Sequence, residues 1–197
     1  MEKKFDGGIG IDLDDTIAGS SKQALKRINE LYGLHAKMKD WKQFKISACF
    51  PVTEQQAAKV FSEIWSEPEK IKLVDKNIPN IIARLSSRHR VYLLTATLGA
   101  RNFYESWLED HGISFDGMIK VQKSVEKIVV GNSHGLDYYI DDHELVAKSV
   151  AEAGKKAILI EKPWNAKFAE SVNDENIKVV HSWHEIDMFF SNLDKDI

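Results

Sequence analysis

Short apolar runs alternate with amphipathic stretches along the chain. Ile9 to Leu13, Val91 to Ala96, Met118 to Val121, Tyr138 to Ile140 and Ala157 to Ile160 are too short for buried helices and read as strands. Val179 and Val180 suggest a last one. Between them the apolar positions recur at helical spacing. Ala24, Leu25, Ile28, Leu31 and Tyr32 make one helix stopped by Gly33, and Ala57, Val60, Phe61, Ile64 and Trp65 make another. The second is entered through a capping box of Thr53 and Gln56 and broken by Pro68. Pro79 then opens a helix carrying Ile81, Ile82 and Leu85. Further helices are predicted around Phe103 to Leu108, from Ser124 to Val130, around Leu145 to Val150 with a stop at Gly154, and from Trp183 to Phe190. Strands alternating with helices predict an α/β protein: a Rossmann-like parallel sheet covered by helices on both faces.

The first connection breaks this rhythm. About sixty residues separate the Ile9 strand from the Pro79 helix, far more than one crossover needs, and structureless loops of that length are rare. The expectation is a helical cap subdomain at 18–78, inserted after the first strand, with 1–17 and 79–197 forming the core domain. A lid of this kind belongs over the carboxyl edge of the sheet.

Composition narrows the function. A net charge of −3 gives no electrostatic footprint for a nucleic-acid polymer or an anionic membrane. Cys49 is the single cysteine, which excludes an internal disulfide framework and suits a reducing compartment. The amino terminus leads into no signal-peptide core and no run is long enough to span a bilayer, so a cytoplasmic location is expected. The glycines Gly8 and Gly10 do not begin a dinucleotide fingerprint, because the third glycine position holds Leu13.

The chemistry gathers at strand ends. The stretch IGIDLDDTIA delivers Asp12, Asp14 and Asp15 where open α/β sheets bind ligands. Helix capping by Asp15 or Thr16 needs only one such residue, whereas carboxylates packed this closely repel and call for a hard divalent cation. Thr95 closes the second run, and Asp141 with Asp142 closes the Tyr138 strand; Lys120, Lys123 and Lys127 lie between. Carboxylates with a metal, a hydroxyl and an ammonium suit a phosphoryl group. Metal and lysine neutralise its oxygens, one carboxylate attacks phosphorus, and Asp14 can act as acid and base. Zinc hydrolysis fits worse, since the seven histidines show no metal-ligand spacing and His143 reads as a helix start.

The series Asp12-Leu-Asp14-Asp15-Thr16, Leu94-Thr95, a lysine, then Ile140-Asp141-Asp142 resembles the four motifs of the haloacid dehalogenase superfamily of aspartate-dependent phosphatases. The resemblance implies that Asp12 is the nucleophile and Asp14 the general acid/base. It makes Thr95, Ala96 and a lysine the phosphate ligands. Mg2+ would sit on Asp12, Asp141 and the backbone carbonyl of Asp14, with Asp142 turned aside behind it. Lys123 is the preferred lysine, because Lys127 would leave almost no helix before Gly131; Lys127 is the alternative.

Weaker signs, TATLGARNFYESWLE, ILIEKPWN and HSWHEI, resemble the 5'(3')-deoxyribonucleotidases within that superfamily. Cap aromatics stack on the base in that family. Trp41, Phe44 and Phe50 are the candidates here, whereas Phe61 and Trp65 sit on a helix's apolar stripe and read as cap core. The expected partner is a small phosphomonoester, with homodimerisation left open. A phospho-accepting receiver domain uses similar residue types but places its acidic pair first and its acceptor on a middle strand. A non-catalytic binding module is separated only by assay.

Overall fold

The computed structural model describes residues 7–193. Six strands form one sheet in the order β3-β2-β1-β4-β5-β6. They are β1 Gly8–Ile11, β2 Arg90–Thr95, β3 Gly117–Lys120, β4 Leu136–Asp141, β5 Lys156–Ile160 and β6 Ile177–Val180. Every pairing is parallel. The order reverses at β1, where β2 leads one way and β4 the other. Open sheets bind ligands just beyond the strand ends at such a switch point. All six predicted strands are present, with ends within a few residues of the apolar runs.

Two apolar clusters cover the sheet's faces. One gathers Leu94, Leu136, Tyr139, Val146, Val150 and Leu159, beneath α5 (Lys127–Ser133) and α6 (Glu144–Glu152). On the other, Ile9, Ile11, Leu93 and Ile158 meet residues of α3 (Ile78–Ser86), α4 (Arg101–Asp110) and α8 (Trp183–Leu193). A short α7 (Ala166–Ser171) was not foreseen; its six residues bury none of their number and so carry no apolar stripe to read.

The segment between β1 and β2 forms α1 (Ser20–Tyr32), 3₁₀ turns at Met38–Asp40 and Ile46–Ala48, and α2 (Glu54–Ile64). Gly33 ends α1 in the left-handed region at φ 64°. The Thr53 hydroxyl accepts the Gln56 N–H and the Gln56 side chain accepts the Thr53 N–H, so α2 starts in the capping box its sequence predicts. The apolar cluster runs without a break from the sheet into this insert through Ile17, Ala24, Ile28, Trp41, Val60 and Trp65. The insert therefore shares the core of the sheet that it stands over. Among the described residues no helix is long and apolar enough to cross a membrane.

Candidate active site

β1 is bonded on both sides, and Asp12 leaves its end with its N–H donated to the Ile140 carbonyl at 2.9 Å. That bond fixes Asp12 beside Asp141, the last residue of β4. Both carboxylates are buried and share one cation: Lys127 Nζ lies 2.6 Å from Asp12 Oδ1 and 2.7 Å from Asp141 Oδ2. Asp141 Oδ1 also accepts the His143 N–H at 2.8 Å. Asp142 is buried as well, and the Trp164 indole donates to its Oδ2 at 2.9 Å. Asn165 Nδ2 holds the Asp142 carbonyl at 2.7 Å.

The lysine expectation needs correction. Lys127 is the lysine in the crevice, only 3% exposed, and Lys123 is an exposed residue ahead of a 3₁₀ turn. The turn Ser124–Glu126 occupies the place expected for the helix start, so α5 begins at Lys127 itself. Nor does Gly131 stop that helix, which runs on to Ser133. A side chain at Gly131 would collide with the Tyr139 hydroxyl, so glycine is there to let α5 approach β4.

Asp142 also departs from expectation. Asp12, Asp141 and Asp142 each place an oxygen within 4.8 Å of one another, so Asp142 faces the cluster as well as the Trp164 indole. Burial pushes the Asp12 carboxyl up to about 8, against the pull of the Lys127 ammonium, and raises Asp142 well above the usual carboxylate range. Burial disfavours the ammonium of Lys127 too, but the facing carboxylates outweigh it and raise its pKa. Such a set of buried oxygens, with no nitrogen or sulfur donor, suits a hard cation.

The Asp14 side chain leaves this cluster and turns toward the insert. Trp65 Nε1 donates to its Oδ1 at 3.3 Å. Burial, its largest influence, raises the Asp14 pKa and favours the protonated form that an acid requires. Asp15 serves a different end. Its backbone is left-handed at φ 58°, and its carboxylate accepts the Ser21 N–H at 3.1 and 3.2 Å, capping α1 from outside the helix. Helix capping is thus a sound account of Asp15 and leaves Asp12 and Asp14 to the crevice.

Thr95 is buried, and its hydroxyl accepts the Thr97 N–H at 3.0 Å. Ala96 and Thr97, rather than Thr95, line the cavity above the carboxylates, which holds about 230 Å³. Its upper wall is Trp41, Phe44 and Ile46 from the insert, with Phe61 of α2 and Trp164 of the core. Trp41 is buried and packs on Trp164 at 5.3 Å, whereas Phe44 is 46% exposed and stacks on His143 at 3.7 Å. Phe50 lies behind Trp41, edge-on at 6.3 Å, and is not among the lining residues. Phe61, expected in the cap core, does line the cavity. His143 is the helix start its position suggested, its Nδ1 accepting the Leu145 N–H at 3.1 Å.

Thr97 escaped the reading of the sequence, Trp65 was read only as cap core, and Trp164 and Asn165 stood only within ILIEKPWN, without a role of their own. Thr97 carried a visible signal, a second hydroxyl two residues past the strand end. Buried indoles offered a weaker one: a tryptophan on an apolar stripe still brings an N–H that needs an acceptor.

Comparison with known proteins bears on the fold. No protein-family model matches the chain. A curated relative from Staphylococcus epidermidis, named "Putative 5'(3')-deoxyribonucleotidase", is 22% identical over 192 residues, covering 95% of this chain and 97% of its own. Among solved structures, a haloacid dehalogenase-like family hydrolase from Streptococcus pneumoniae superposes with a TM-score of 0.70 at 17% identity, over 93% of this chain and 98% of that one. A protein from Clostridium acetobutylicum described as a predicted phosphatase also gives 0.70, at 14% identity over 96% and 100%. The fold is that of the haloacid dehalogenase-like hydrolases.

Proposed function

We propose that the protein is a magnesium-dependent phosphomonoesterase that works through an aspartyl phosphate and acts on nucleoside monophosphates. The observation that carries this reading is the sharing of the Lys127 ammonium by Asp12 and Asp141 beneath a cavity with Asp14 at its side. Asp12 is the nucleophile. Its carboxylate oxygen bonds to phosphorus as the ester oxygen leaves, and Asp14 protonates that leaving alkoxide. Water then attacks the aspartyl phosphate and gives its proton to Asp14, releasing phosphate and restoring both acids. Lys127 neutralises the phosphoryl oxygens, and the loop at Ala96 and Thr97 borders them. Asp12, Asp141 and Asp142 would hold magnesium, with the Asp14 carbonyl as a further oxygen. The ion would supply positive charge against the phosphoryl oxygens.

The nucleotide assignment is supported by the curated relative's name and by the aromatic upper wall. Stacking on an aromatic face contributes about 1–3 kcal/mol per base in proteins that bind single strands, enough to favour a nucleotide over a sugar phosphate by tenfold or more. Trp41, Phe44 and Phe61 line the cavity. A phosphate-release screen over nucleotides, sugar phosphates and phosphoamino acids, with and without magnesium, tests both levels. Magnesium-dependent release from dUMP or dTMP above the others is the expected result. Preference for a sugar phosphate would keep the phosphatase and discard the nucleotide, and no release from any ester would discard both.

A further inference from the structure

Trp65, the residue that closes α2, reaches from the insert into the crevice, its Nε1–H pointing at Asp14 Oδ1 from 3.3 Å. The core holds the ring from more than one side. It meets Trp107 edge-on at 5.9 Å and 88° and Tyr104 at 6.3 Å and 78°, both on α4. Gly99, in the loop after β2, lies so close that a Cβ there would stand 2.5 Å from the indole Cγ. The Thr97 hydroxyl in that loop accepts the Gly99 N–H at 3.3 Å, and Thr97 lines the same cavity as Asp14.

Edge-on packing needs only an aromatic ring. The indole N–H adds direction. A hydroxyl rotates and can either donate or accept, whereas an indole only donates. The carboxyl oxygen that faces Trp65 is therefore the acceptor, which fixes how the carboxyl group is turned. We propose that Trp65 is a positioning residue for Asp14: the docked insert supplies the bond that fixes the orientation of the acid's side chain. This rests on the phosphatase reading, in which Asp14 protonates the leaving group.

The role is tested with Trp65→Phe and with Trp65→benzothienylalanine, whose sulfur replaces the N–H while the ring keeps its shape. kcat/KM, which reports the steps through formation of the aspartyl phosphate, is measured on two esters. One is dUMP, or glycerol 2-phosphate if nucleotides are refused, whose alkoxide needs a proton to leave; the other is p-nitrophenyl phosphate, whose phenolate does not. Loss of one hydrogen bond predicts a fall of about tenfold on the alkyl ester and less than about threefold on the aryl ester. An equal fall on both, or no change on either, would overturn the positioning role and leave Trp65 as packing. A wild-type protein that hydrolyses none of the esters would instead overturn the phosphatase reading on which it rests.

Discussion

Asp12 and Asp141 stand on adjacent central strands, where ladder bonds and the shared Lys127 leave them little freedom, whereas Trp41 and Phe44 stand on 3₁₀ turns and the loops beside them. The floor of the cavity is thus charged and fixed by the sheet; its upper wall is aromatic and fixed by packing. A phosphoryl group needs charge placed to within fractions of an ångström, which strand ends provide. The remainder of a substrate needs surface and shape, which a segment of loops can vary without moving the floor. Chemistry and selectivity are assigned here to different parts of the chain, and each variant below should disturb one of them.

The largest effect should come from the floor. Asp12→Asn is expected to abolish hydrolysis, by at least about a thousandfold, because an amide of nearly the same shape is a poor nucleophile. Circular dichroism should show the fold intact, and substantial residual turnover with magnesium present would remove Asp12 from the nucleophile's role. Next comes Lys127→Ala, with a loss on the order of a hundredfold in kcat, the effect of removing one preorganised donor from a developing anion. Lys123→Ala, an exposed change, should stay within about twofold, its effect confined to weak surface electrostatics. Reversal of that ranking would mean that the ammonium between Asp12 and Asp141 is not the one that meets the phosphoryl group.

The same division governs what could be read before the structure. β1, β2 and β4 were legible as apolar runs ending in Asp or Thr, because a strand buried on both faces has little choice of composition and its end has a fixed address in an open sheet. α2 was legible through Thr53 and Gln56, a purely local signal. Lys127 was not. Choosing it over Lys123 required knowing that Gly131 packs against Tyr139 instead of ending a helix, and that contact spans two elements. Trp65 was hidden for a like reason: its stripe position announced burial correctly, while the direction of its N–H depends on where Asp14 lies, 51 residues away. Phe50 was misplaced among the cavity aromatics because nothing local distinguishes a ring that lines a cavity from one that backs the lining.

Metal and pH test the floor more gently. Burial raises Asp12 to about 8 and Asp142 well above the usual range, while unfolded carboxyls titrate near 4. For an acid raised on folding, the folded state binds more protons than the unfolded state, so this stabilisation is complete below about pH 4 and is lost as pH rises toward 8. Metal-free protein should therefore lose melting temperature across pH 5 to 8 relative to Asp142→Asn, which removes one of the crowded acids. Magnesium binds the ionised set, so it should raise the melting temperature more at pH 8 than at pH 5. Equal gains at both values, with no difference in slope between the proteins, would mean that Lys127 alone satisfies the cluster.

The smallest effect should appear in the upper wall, where Phe44 and Phe50 separate lining from support. Phe44 is 46% exposed and borders the cavity, so its ring contributes little to the core; Phe50 is half-buried against the edge of Trp41 and touches no cavity surface. Phe44→Ala should raise KM for dUMP by about tenfold through lost stacking, leave p-nitrophenyl phosphate hydrolysis nearly unchanged, and shift the melting temperature little. Phe50→Ala should do the opposite, lowering the melting temperature by several degrees, as about 1–3 kcal/mol of lost packing would in a chain of this size, with a small change in either KM. Phe44 stacks on His143 at 3.7 Å, so one face of its ring is already taken. A variant that keeps the dUMP KM of the wild type would mean that Phe44 does not stack on the base, and selectivity would then fall to Trp41 and Phe61.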